Sequence, residues 1–169
     1  TLDPDSLYNS GHLVAWTQDI NQNDTLDFLP GTADVIGRYF ISLSSMPNIL
    51  VDDNGRIALV YSSVTEGYDN GIQNYRHVWF TVKDAANGWT EYFEDLTASI
   101  LHNYDECIYP TIAPGHYTFD GNEYKARFIF QADEEPGLSV RGDEDAATDN
   151  SIIHSEFTYW WTVGIPEHD

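Results

Sequence analysis

The stretch Pro47–Thr90 constrains the fold more than any other part of the chain. It runs PNILVDDNGRIALVYSSVTEGYDNGIQNYRHVWFTVKDAANGWT and divides into short apolar runs punctuated by turn residues. Asn48–Val51 leads into Asp52-Asp53-Asn54-Gly55, where the Asn-Gly pair predicts a two-residue type I′ hairpin turn, since both residues accept positive φ. Arg56–Ser62 is the returning strand. Val64–Asn74 is polar and is expected to be a loop. In Tyr75–Val82 the residues Val78, Phe80 and Val82 alternate with His77, Trp79 and Thr81, the period of two that belongs to a strand. Asp84–Gly88 has turn composition, and Trp89–Phe93 is expected to add an outer strand. The unit predicted is an antiparallel meander of up to four strands.

Two further copies of this pattern are visible. Cys107–Ala113, a turn at Asp120-Gly121-Asn122, Tyr124–Gln131 and His154–Trp161 follow the order of the first unit downstream. Upstream, Gly11–Thr17 and Val35–Leu43 supply apolar runs read as the second and third strands of another copy. Repeats of about 8–45, 46–105 and 106–163 therefore predict one all-β unit over 1–169, built as blades of a partial β-propeller. The alternative arrangement of the same hairpins is a single β-sandwich. No window carries a sustained 3.6-residue apolar period, and frequent Tyr, Trp, Phe and Thr suit half-buried sheet surfaces.

The first copy lacks an inner strand, the last lacks an outer one, and two and a half blades do not close a ring. The chain is therefore expected to be an excerpt of a larger one, which would itself be a partner of these blades. Its formal net charge of −21, from 28 acidic against 7 basic side chains, excludes nucleic acid as a partner by phosphate repulsion and favours cations. Cys107 is the single cysteine, so no internal disulfide forms, and its apolar neighbours give it the role of a small core residue. No eighteen-residue apolar run or lipidation motif calls for direct membrane insertion.

The most specific local pattern is Asp19-Ile-Asn21-Gln-Asn23-Asp24-Thr-Leu-Asp27. Asp19, Asn21, Asn23 and Asp27 fall at positions 1, 3, 5 and 9 of a twelve-residue calcium loop, where oxygen side chains alternate around a hard cation. Position 6, usually Gly, is Asp24, and position 12, usually a bidentate Glu, is Pro30. Ca²⁺ is the cofactor expected, with water or Asp24 replacing the missing carboxylate. The competing reading is a solvated acidic hairpin loop. The insertion between Asp133 and Asn150 is richer in acid but has no ligand frame, and its Arg141-Gly142-Asp143 is too short a match to carry an argument. His12, His77, His102, His116, His154 and His168 show no zinc spacing. Trp79, Trp89 and Tyr159-Trp160-Trp161 are core aromatics or, alternatively, a platform on which a sugar could stack.

The inner-strand segments YPTIAP and MPNILVD, the aliphatic IALVYSS, and the Gly-Trp corner of HVWFTVKDAANGWTE resemble blades of large secreted propellers of the sialidase-like, BNR-repeat kind, found in exported proteins of Bacteroidetes-type bacteria. The Asp-box of that family is only hinted at by Asp84 and Gly88-Trp89, without its Ser and Thr. The resemblance implies a propeller fold and an extracellular or cell-surface location. A sialidase would also need an arginine triad, a Tyr/Glu pair and an Asp acid. Arg38, Arg56, Arg76, Arg127 and Arg141 do not present such a triad, so no catalytic residue is assigned. The expectation is a non-catalytic binding or structural module whose acidic loops engage a protein partner or cations. The alternatives are a fragment of a propeller-type glycoside hydrolase or lyase and a calcium-stabilised adhesive β-domain.

Overall fold

The structure is a computed structural model that describes residues 13–30, 35–37, 39, 41–84, 88–120, 123–138 and 148–160. Among the described residues eight strands form two antiparallel sheets, and there is no α-helix. The first sheet holds β1 (Ser44–Val51), β2 (Ile57–Asp69) and β3 (Asn74–Asp84), with the short β4 (Gly88–Trp89) and β5 (Glu94–Asp95) both paired to β3. The second holds β6 (Glu106–Asp120), β7 (Glu123–Asp133) and β8 (Ser151–Trp160) in that order. The two predicted meanders are thus separate sheets, and their strands do not interleave. The outer strand expected at Trp89–Phe93 is divided between β4 and β5, with Thr90 N–H donating to Val82 O at 3.0 Å and Leu96 N–H to Val78 O at 2.8 Å.

The hairpin from β1 to β2 differs from the type I′ turn that Asn54-Gly55 suggests. Gly55 has φ +77°, but Asn54 is not in the left-handed region, and Gly55 N–H donates to Asp52 O at 3.0 Å. This is a three-residue loop, a type I turn completed by a left-handed glycine. The buried Asp52 selects it: its Oδ1 accepts from Asn54 N–H and Arg56 N–H, both at 2.9 Å, and its Oδ2 pairs with the Arg56 guanidinium. The preference of an Asn-Gly pair for two positive φ angles is outweighed by two backbone donors satisfied at once.

Polar Val64–Asn74 is also not a loop. β2 continues to Asp69, and only 70–73 turn, held by Asn70 Oδ1 accepting from Ile72 and Gln73 N–H at 2.9 and 2.7 Å. Polar residues enter the strand because each finds a buried partner. Thr65 Oγ1 accepts the Trp79 indole N–H at 3.0 Å, and Ser62 Oγ donates to Cys107 O at 2.9 Å.

The inner faces of the two sheets share one core. Leu50, Ala58, Val60, Val78, Phe80 and Val82 of the first sheet meet Cys107, Ile112, Tyr124, Ala126, Phe128, Phe130, Ala132 and Phe157 of the second. Phe80 and Phe157 lie with ring centroids 4.3 Å apart, tilted by 45°. Full burial of each such side chain is worth roughly 1.5–3 kcal/mol, so this seam supplies much of the stability. Neither sheet closes on itself. Face-to-face packing of open antiparallel sheets is the arrangement of a β-sandwich and of neighbouring propeller blades alike.

The described residues of the upstream stretch form no third sheet. Leu13–Thr17 carries no strand, and of the described residues in Val35–Leu43 only Ile36 makes a bridge, parallel, to Asn74. Residues 13–17 instead run as a strap over the outer face of the first sheet. Val14 and Ala15 pack with Leu59, Tyr61 and Trp79, and Tyr61 Oη donates to Trp16 O at 3.0 Å. Thr17 Oγ1 lies 2.9 and 3.0 Å from the hydroxyls of Ser44 and Ser63.

Candidate functional site

The strap delivers the acidic loop 19–30 onto the end of β2, and there the loop is organised around one carboxylate. Glu66 is only 4% exposed. Its Oε2 accepts from Ile20 N–H at 2.6 Å and Asn21 N–H at 3.3 Å, and its Oε1 accepts from Asp27 N–H at 3.0 Å and the Asn21 amide at 2.8 Å. Burying an ionised carboxylate is costly unless its lone pairs are met, and four donors from a single loop meet them. Asn74 then fixes the exit of the loop, accepting from Leu29 N–H at 3.1 Å and donating to Val35 O at 2.8 Å.

Within the loop, Asn21, Asn23 and Asp27 converge. The amides of Asn21 and Asn23 both reach Asp27 Oδ2, at 3.0 and 2.8 Å. Asp19 takes a different part: its two oxygens accept from Asn23 N–H at 3.3 Å and Asp24 N–H at 2.8 Å. Those bonds bend the chain through Gln22 and Asp24, whose φ values are 58° and 64°. Asp24 thus stands where a loop of this frame usually has Gly, with its backbone tied to Asp19. Glu66 is the carboxylate from outside the loop that is bonded to Asn21 and Asp27. A half-turn of an Asn side chain exchanges its NH₂ for its carbonyl oxygen, so the same positions can present oxygens to a cation beside Asp27 and Glu66. Among the described residues no three or more His, Cys, Asp or Glu side chains gather as a metal site, and the cluster here joins two carboxylates through amides.

Glu66 escaped sequence reasoning because it sits in a polar run that has no strand pattern, 39 residues beyond Asp27. The signal that could have found it was Pro30, which leaves the twelfth position of the calcium frame without its carboxylate.

The remaining chemistry-bearing side chains are tied into structure. His77 is fully buried, its Nδ1 2.5 Å from Asp95 Oδ2 and its ring 4.6 Å from that of Tyr68. His102 Nδ1 lies 2.8 Å from Asp105 Oδ2 at the rim of a cleft of about 340 Å³ that also gathers Asp133, Glu134 and Asp149. Arg76 is 1% exposed and donates to Leu43 O and Ser42 O at 2.8 and 3.1 Å. Arg56 serves the Asp52 turn, and Arg127 lies on the surface, 3.3 Å from Glu156. These three arginines sit in separate surroundings, and Arg38 and Arg141 lie outside the described residues, as do His12, His168 and Trp161. Trp79 is core, whereas Trp160 is 60% exposed.

Among the carboxylates of the described residues, Glu106 is the one that burial displaces most. Complete burial pushes it up to about 8, against the opposing pull of the Arg76 backbone N–H and guanidinium. A carboxyl near neutrality can act as a general acid, but this one has no exposed surface, so no substrate reaches it. Burial likewise pushes the Cys107 thiol up, which keeps it unreactive. Comparison of the chain with protein-family models, with curated proteins and with solved structures finds no match.

Proposed function

We propose that the chain is a non-catalytic binding module of a secreted or cell-surface protein of the propeller-blade kind, whose first acidic loop is clamped by Ca²⁺. Asn21, Asn23, Asp27 and Glu66 would supply the ligands, and Asp19 would shape the loop and lend an oxygen. One observation carries this reading: Glu66, a buried carboxylate on β2, accepts hydrogen bonds from two residues of the frame, Asn21 and Asp27, in a loop whose own twelfth position is Pro30. The hard oxygens of carboxylates and amides suit Ca²⁺ better than a soft metal. The ion would cancel charge in a chain of net −21 and fasten the strap to the sheet.

The test is thermal unfolding with Ca²⁺ or with chelator. An ion held only by the folded state, at a hundred times its dissociation constant, adds about 2.7 kcal/mol. For a chain of this length that corresponds to a rise in Tm of roughly 5–10 °C. Asp27→Ala should remove the response. Identical melting of the wild type in Ca²⁺ and in chelator would leave the loop as a solvated acidic hairpin held by hydrogen bonds alone.

A further inference from the structure

We infer that the outer edge of β8 is a docking site for an extended, positively charged strand of a partner protein, which joins the second sheet as its fourth strand. This rests on reading the domain as a binding module. Internal comparison supplies the first argument. In the first sheet the third strand, β3, is covered along its outer side by β4 and β5, whereas β8 holds the same place in the second sheet and, among the described residues, no strand pairs with its side away from β7.

The edge is built for pairing. β7 and β8 are in register without a bulge from Ala132↔Ser151 to Glu123↔Trp160. In an antiparallel ladder alternate residues turn their N–H and C=O groups outward, so a straight strand of this length presents a regular row of donors and acceptors. Edge strands are ordinarily blunted by Pro, Lys or bulges. SIIHSEFTYW contains neither Pro nor Lys. The edges of β1 and β6 are treated differently: each is bulged, and they lean on each other through Ile112 N–H to Asn48 Oδ1 at 2.9 Å. Along the open face of β8, Ile152 is 68% and Trp160 60% exposed, with His154 and Glu156 between them, which offers apolar contacts near both ends of an added strand.

Charge selects the occupant. Asp105, Asp133, Glu134 and Asp149 line the cleft beside Ser151 and Ile153 of β8, with no Lys or Arg among the lining residues. A basic strand would be drawn to this edge, whereas a second copy would bring another chain of charge −21 against it.

The experiment uses the isotope-labelled full chain in Ca²⁺ and near-physiological salt. The probe is a synthetic peptide of about ten residues alternating Val or Ile with Lys or Thr, a length that matches β8. Its control is the same peptide N-methylated at alternate residues, equal in charge but unable to complete a ladder. The expected result is that amide shifts map to β8, that outward β8 amides gain protection from hydrogen exchange, and that N-methylation weakens binding by about tenfold or more. His154→Lys with Thr158→Lys should weaken it similarly without unfolding the domain. Equal binding of both peptides, shifts confined to the acidic loops, outward β8 amides already protected in the free monomer, or a dimer that protects β8 would each overturn the inference. The calcium-dependent melting shift is read on the same samples. Loss of peptide binding with that shift retained defeats this inference alone, and loss of the shift with binding retained defeats only the calcium clamp.

Discussion

Glu106→Gln should remove one pH-dependent loss of stability, the one that the wild type suffers as pH rises toward about 8. Glu106 Oε2 accepts Arg76 N–H at 2.5 Å, while Oε1 faces Arg76 Nε at 3.7 Å without a hydrogen bond. The guanidinium spends other N–H groups on Leu43 O and Ser42 O, so it compensates only part of the desolvation. The carboxyl rises from an ordinary 4.5 to about 8. The folded state therefore binds this proton more tightly than the unfolded state. Its contribution is complete below pH 4.5 and is lost as pH rises through about 8. Fully expressed, a displacement of that size corresponds to about 5 kcal/mol, and relaxation around Arg76 brings the expected loss to roughly 2–5 kcal/mol. That is a large share of the 5–15 kcal/mol typical of a domain. Urea unfolding of both proteins from pH 4.5 to pH 9.5 isolates the effect. The wild type should lose ground to the variant steadily toward alkaline pH. A difference that stays constant, or that favours the wild type at high pH, would refute the assignment of a neutral Glu106.

Asp52→Ala should cost about 2–3 kcal/mol in urea unfolding, because one buried carboxylate holds two backbone N–H groups and the Arg56 guanidinium. Phe80→Ala should cost about 3–5 kcal/mol, since Phe80 has no exposed surface and touches Phe157 and Tyr159 across the seam. Glu66→Gln should lower Ca²⁺ affinity by about tenfold or more in calorimetric titration while the far-ultraviolet spectrum stays that of the wild type.

What the sequence determined by itself was local. The alternation through Tyr75–Val82, the turn residues at 52–55 and the matched order of runs near 48 and 108 set the strands of both sheets, since a period of two and a glycine at positive φ depend on the chain alone. The ligand frame Asp19-x-Asn21-x-Asn23 was equally plain in the residue order. Only the tertiary structure decided the rest. Leu13–Thr17 has the composition of a strand, yet it lies as a strap, because a strand exists only where a neighbour offers its backbone, and here the outer face of the first sheet offers Leu59, Tyr61 and Trp79 instead. Thr65 and Glu66 look like loop residues, yet they are buried strand residues, because the indole N–H of Trp79 and the amides of residues 20, 21 and 27 meet their oxygens. Asn54-Gly55 asked for one turn and Asp52 imposed another. In each case the outcome turned on whether a buried polar atom or an open backbone edge found its partner, and those partners are brought together by folding, not by adjacency in the chain.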